Sequence, residues 1–231
     1  MLNQALIDQL EMIAHQHGEP YDFLERRCAA LNAYHPERAD SFATAMLNAG
    51  LTWPASAPAA PMAASLGLQL TGTGASQVRL PEALRTQGVL LMDLFEAARI
   101  HPRLLDRFLM TKACQPTGNR LALHRAFLNA GIFVYVPTGV QIAQPLILQA
   151  SYAGPTPLHF HTLVVAERGS RIQIHQDLTF PQALLSTVVT EVIAQADSRI
   201  DYRFAPLTSS NQRFICQTKF CRPGGQVHWQ S

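Results

Sequence analysis

The chain has 231 residues, of which 48% are hydrophobic and only 15% charged, and 18 Lys+Arg against 16 Asp+Glu leave a formal charge of +2. That near-balance supplies no basic stripe for a phosphate backbone, so nucleic-acid binding loses its electrostatic argument. No apolar run approaches the roughly 20 residues of a membrane span. In chain order, Leu6, Leu10, Ile13 and Ala14 recur at steps of three and four, which places them on one helix face. Glu19-Pro20 opens a second helix striped by Leu24, Cys28 and Leu31, with Pro20 near its first turn. A third runs through Phe42, Ala45, Met46 and Ala49 to Gly50. The N-terminus, with Asp8 and Glu11, has no basic start followed by an apolar stretch, so it does not read as a signal peptide. Four cysteines without a CxxC give no disulfide framework. A reduced, cytoplasmic protein is expected.

Residues 53–77 change character: Ala, Pro, Ser, Gly and Thr dominate and charge is absent, which predicts a mobile or loosely docked linker between the helical region 1–52 and the rest of the chain. Across 78–130 helical spacing resumes with Leu90, Leu91, Leu94, Phe95 and Ala98. It continues through Leu104, Leu105 and Phe108, then Leu121, Ala122, Ala126 and Phe127 up to Gly131. From 131 to 231 the period changes to that of strands. Four segments, VYVPTGVQI, VVAERGSRI, VIAQADSRI and KFCRPGGQV, share an apolar strand, a tight turn and an alternating strand. Their turn residues Gly139, Gly169, Asp197 and Gly224 lie 30, 28 and 27 residues apart, and Gly or Asp at one phase suits a positive φ. Ile142, Ile172, Ile200 and Val227 follow each turn by three residues, as the interior ladder of stacked coils would. The fold class expected is α+β: a helical N-terminal region followed by a right-handed parallel β-helix. Its final coil, Phe214 to Trp229, would present an open edge, so self-association through the C-terminal coils is expected.

Few residues suggest chemistry. His159 and His161, at i and i+2 on a strand, point the same way, and Glu167 follows. The string G-x4-H-x-H-x5-E-x-G from Gly154 to Gly169 nearly matches a cupin metal motif, so a metal-dependent cupin-like enzyme using His159, His161 and Glu167 is one reading. Against it, Ile142 and Leu146 occupy positions where the cupins' second motif needs His and Asn. The other reading puts both histidines on a solvent or interface face as ordinary polar residues. Cys216 and Cys221 resemble half of an iron–sulfur ligand set, but no second pair is within reach and their spacing puts them on opposite strand faces. His124 and His175 stand alone, and Asp93, Glu96, Asp177 and Glu191 form no pair that the sequence brings together. Phosphate loops, nucleophile elbows and H-E-x-x-H motifs are absent.

The strings GEPYDFLERRCAALNAY, DLFEAARIHPRLLDRF, ALHRAFLNAGIFVYVPTGVQIAQPLIL and LVVAERGSRIQI together resemble the SufB/SufD family of iron–sulfur cluster assembly scaffolds. Gly18-Glu19-Pro20, Asn129-Ala130-Gly131, Val136 to Val140 and Thr162 to Ser170 match the family's elements in order. His159-Phe160-His161-Thr162-Leu163 stands where SufB-type coils read F-E-R-T-L-I, and no cysteine follows Ile174-His175-Gln176-Asp177, which favours the SufD side of the family. The resemblance implies a non-catalytic scaffold that pairs with a SufB-like subunit and works with a SufC-like ATPase. ATP would be used by that partner, and the cluster would be assembled by the complex, with no cofactor held by this chain alone. The family's ATPase-docking helices lie C-terminal to the part matched here, so the chain is expected to lack the C-terminal part of a SufD-like protein and to bind the ATPase weakly or not at all. No catalytic, cofactor or metal residue can be carried over.

Overall fold

The computed structural model describes residues 4–16, 18–53, 62, 66–71, 75–152, 154–183, 185–209 and 212–230. Helices α1 (Gln4–Gln16), α2 (Tyr21–Asn32) and α3 (Ser41–Ala49) form where the apolar stripes predict them. Asp40 caps α3 by accepting the Ala43 N–H at 2.8 Å, which satisfies one of the orphan donors at a helix start. Leu10, Leu31, Phe42 and Met46 from these helices meet Leu123 and Phe127 of α7 (Asn119–Phe127) in one buried cluster.

The segment expected to be a linker contributes structure. Gly67–Thr71 forms β1 and Ala75–Arg79 forms β2, antiparallel to each other, while β1 also pairs in parallel with β5 (Leu146–Ser151). The reason is local alternation that the overall composition hides: Leu66, Leu68 and Leu70 all point into the core. Residues 54–61, 63–65 and 72–74 of that expected linker lie outside the described residues. A second difference comes after α4 (Glu82–Thr86). Leu90–Asp93 is a strand, β3, antiparallel to β4 (Ala130–Val136), and helix α5 begins only at Leu94 and ends at Ile100. Leu91 faces one core cluster while Leu90 and Met92 face another, and a strand covered on both sides loses the alternation that marks it in sequence. Helix α6 spans Pro102–Phe108, and α7 stops at Phe127, so Ala130 already belongs to a strand.

From β4 onward the chain winds between two sheets as a parallel β-solenoid of about three turns. β4, β6 (Leu158–Ala166), β8 (Leu185–Ala194) and β11 (Gln212–Cys221) lie side by side in parallel in one sheet. β5, β7 (Arg171–Phe180), β9 (Arg199–Phe204) and β12 (Gln226–Gln230) do the same in the other, with the two-residue β10 (Thr208–Ser209) beside β7. The turns between them sit at the expected phase: Gly139, Gly169, Asp197 and Gly224 all have φ between 59° and 75°. Asp197 shows that the backbone, and not the glycine itself, is what repeats; Asp tolerates the left-handed region better than most residues. Ile172, Ile200 and Val227 stack in register, Ile142 joins through the neighbouring Gln141–Arg171 bridge, and all four are buried in the solenoid interior. The outer face of the β4-containing sheet is covered by helices, with Leu94, Phe95 and Phe108 against Phe133, Leu163 and Val189.

Candidate functional site

Several of the family-like strings prove to be joints, some among the helices and some between the helices and the solenoid. Arg27 of α2 has a side chain only 1% exposed, yet each of its three nitrogens is partnered. Its Nε and Nη2 donate to the two Glu19 carboxylate oxygens at 2.8 and 2.7 Å, and Nη1 and Nη2 reach the carbonyls of Ala126 and Leu128 at 2.8 and 2.6 Å. The guanidinium also lies over the Phe23 and Phe95 rings. A buried ion pair is tolerable only when its remaining hydrogen-bond capacity is met in this way. Asp93 caps α5 by accepting from Phe95 and Glu96 N–H at 2.8 and 3.1 Å. Asn129 donates to the carbonyls of Thr52 and Pro157 and accepts from His159 N–H, tying three segments at the mouth of β6. At Gly131 an added Cβ would lie 2.5 Å from the His161 carbonyl oxygen, so only glycine permits this strand spacing beneath Leu94.

Directly beneath α7 the structure gathers a polar cluster inside an otherwise apolar layer. The odd-numbered residues of β6 face the helices, which turns both His159 and His161 toward His124 of α7. Thr187 of β8 pairs in register with His159, and its hydroxyl lies 2.8 Å from His159 Nδ1 and 2.7 Å from His124 Nδ1. One hydroxyl can donate to one ring and accept from the other. His124 Nε2 lies 3.2 Å from His161 Nδ1, and His161 Nε2 lies 3.4 Å from Glu191 Oε2 without hydrogen-bond alignment. Glu191 in turn accepts three backbone N–H groups, Met110 at 2.7 Å and Ala113 and Cys114 at 3.2 Å, which anchors the segment between α6 and α7 to β8. His124, His159, His161, Thr187 and Glu191 are all sealed from solvent.

The electrostatics follow from that seal. Burial pushes His159 down to about 3, with the Arg27 charge adding to it. Burial also holds His124 well below the usual histidine range, aided by its two histidine neighbours. Both rings are therefore neutral in the fold. Arg125, on the same helix, is lowered to about 10 by burial, and its Nη1 donates to the Leu109 carbonyl at 3.1 Å.

The two histidines are thus not on a solvent or interface face as expected; α7 covers the strand face that the sequence left open. Nor do they meet Glu167. That residue sits past the far end of β6, with its carboxylate 3.5 Å from the Tyr135 hydroxyl and 3.8 Å from Arg107. Eight residues of strand put about 26 Å between His159 and Glu167, so the cupin-like set does not assemble. Cys216 and Cys221 alternate across β11 as expected. Cys216 is half-buried on the helix side, and Cys221 is exposed. Among the described residues, no group of three or more His, Cys, Asp or Glu side chains is arranged to hold a metal ion. The sequence reading missed the roles of His124, Thr187 and Glu191, although a signal existed. The step of 28 residues between the second and third coils carries His159 onto Thr187, and Glu191 lies farther along the same strand face.

Comparison with known proteins bears on this architecture. Residues 69–148, from β1 to the middle of β5, match the family described as the SufBD protein N-terminal region. The iron–sulfur cluster assembly protein SufD of Bacillus subtilis is 31% identical over 140 residues, which cover 55% of this chain and 30% of that protein. A SufBD family iron–sulfur cluster assembly protein of Synechocystis is 30% identical over 129 residues, covering 52% of this chain and 26% of the relative. One from Staphylococcus haemolyticus is 22% identical over 155 residues, covering 65% and 33%. The matches thus span about a third or less of these relatives' lengths. The family match runs through the α5 cap, the Asn129 joint and the first solenoid turn, so in this part the chain is similar to the N-terminal region of SufBD iron–sulfur cluster assembly proteins.

Proposed function

We propose that this chain serves as a SufD-like, non-catalytic scaffold subunit, which pairs with a SufB-like subunit and supports cluster formation driven by ATP hydrolysis in a SufC-like partner. The observation that carries this reading is the match over residues 69–148 together with the relative named SufD. The molecule's polar residues support it. Glu19 and Arg27 hold α2 to the end of α7, and Asn129 and the histidine cluster hold the helical side to the solenoid, which suits a protein whose task is to present a surface. Iron and sulfur are cargo in this reading. The test is co-expression with SufB-type and SufC-type proteins, followed by affinity purification and cluster reconstitution. The chain is expected to co-purify with the SufB-type protein and to raise cluster yield, while hydrolysing no ATP itself. Failure to associate with a SufB-type protein, or ATP hydrolysis by the isolated chain, would overturn the proposal.

A further inference from the structure

A bulge opens the interior of the solenoid beside its last coil. Gln176 of β7 pairs in register with Phe204 of β9, and Thr179 of β7 pairs with Thr208 of β10. Three steps along β7 thus face four along the neighbouring chain, so one extra residue has to leave the ladder. It leaves at Ala205-Pro206-Leu207, where Pro206 has no N–H to give to a strand partner. Behind the bulge lies a cavity of about 320 Å³, a size at the lower end for small-molecule sites. Leu178 and Val188 line it from the two sheets, Phe204 and Leu207 from the bulge, and Ile215 of β11 from the side that is open to solvent. Two polar side chains, Gln176 and Thr190, interrupt this apolar wall, and they are only 2% and 1% exposed. Gln176 Oε1 accepts from the Tyr202 hydroxyl, but Gln176 Nε2 and the Thr190 hydroxyl have no hydrogen-bond partner among the described residues. None of the described residues lining the cavity is ionisable.

We propose that this cavity binds a small neutral molecule with an apolar body and a carbonyl oxygen. The apolar walls favour the body, because burying it there removes apolar surface of both partners from water. The orphaned donors select the polar end. A buried N–H or O–H without a partner carries a free-energy penalty, which an acceptor on the ligand removes. Gln176 Nε2 offers two N–H groups and Thr190 one O–H, and a carbonyl oxygen suits either with its two lone pairs. Charge is selected against by the same wall. A carboxylate or an ammonium group would lose its hydration and meet no counter-charge among the lining residues. The site lies inside the solenoid, so it stands apart from the presented surface on which the scaffold role rests.

The probes are 4-fluoroacetophenone, 4-fluoroethylbenzene, which lacks the oxygen, and 4-fluorobenzoate, which carries a charge. Each is titrated against the full chain and followed by fluorine NMR. The ketone is expected to bind about fivefold or more tightly than the hydrocarbon, the worth of one hydrogen bond, and the benzoate more weakly than either. This comparison uses the wild type and needs no variant to fold. Gln176→Leu and Thr190→Val each remove one donor, and together they should erase the preference for the ketone. Thr190→Val alone should leave the urea midpoint unchanged or raised, since its hydroxyl has no protein partner to lose. Ile215→Trp, at the exposed mouth, should block all three probes. The proposal is overturned if the ketone does not bind the wild type, if it binds no more tightly than the hydrocarbon or the benzoate, or if its affinity is unchanged in Ile215→Trp.

Discussion

His159 and His124 make the stability of this fold depend on pH in a defined direction. Both have pKa values in the folded chain below the ordinary histidine value near 6.5. Between those values the unfolded chain binds protons that the folded chain refuses, so stability is complete above about pH 6.5 and falls as the pH drops below it. The loss should be on the order of 1 kcal/mol per pH unit for each ring. Urea unfolding at pH 7.5 and 5.0 checks this, and His159→Phe should roughly halve the slope; equal stability at both pH values would remove the burial argument. Glu191 gives a second prediction at the same scale. Its buried carboxylate satisfies three N–H groups, so Glu191→Ala strands all three and should cost about 3 kcal/mol or more. Glu191→Gln keeps one acceptor oxygen and should cost less. If the two variants unfold at the same urea concentration, the acceptor count does not govern the joint.

At the scale of elements, the repeat decides what can be read from sequence. Each turn must reverse the chain with positive φ, and each following strand must send its first interior side chain onto the one before. Those local demands leave Gly or Asp and a β-branched residue at fixed steps. They therefore make the solenoid and its ladder legible. Ile200 tests the ladder: it is wholly buried between Ile172 and Val227, so Ile200→Asn should cost roughly 3 kcal/mol or more, through lost apolar burial and an unpaired amide. Val227→Asn, at the partly open last coil, should cost less by the same urea assay. The strands β1 and β3 were not legible for the opposite reason. Their partners, Ile147 and Tyr135, lie far along the chain, and the residues themselves repeat no unit. The histidine cluster stayed hidden because a strand pattern shows that His159 and His161 share a face but not that a helix will cover it. His124 joins them only once α7 has docked.

At the scale of the whole molecule, the clusters show which parts should unfold together. A bare solenoid behaves nearly one-dimensionally, each coil resting on its neighbours. Here the helices break that independence. Phe108, Leu94 and Phe95 pack on Leu163, Val189 and Ile193 of the central strands, while Glu191 and Asn129 bridge to the same strands by hydrogen bonds. β6 and β8 are buried along their whole described length, whereas β11 alternates between half-buried and exposed residues. Amide exchange follows local opening when contacts are few and global unfolding when they are dense. Amides of β6 and β8 should therefore exchange slowest, and those of α5, α6 and α7 should gain or lose protection at the same urea concentration as β6 and β8. Those of β11 should open earlier, by smaller fluctuations. Hydrogen exchange read by mass spectrometry across a urea series measures each of these. Helical peptides that exchange freely while β6 and β8 remain protected would show that the helical layer is a separate unit resting on an independent solenoid, and the buried joints at Asn129 and Glu191 would then lose their role as couplers of the two.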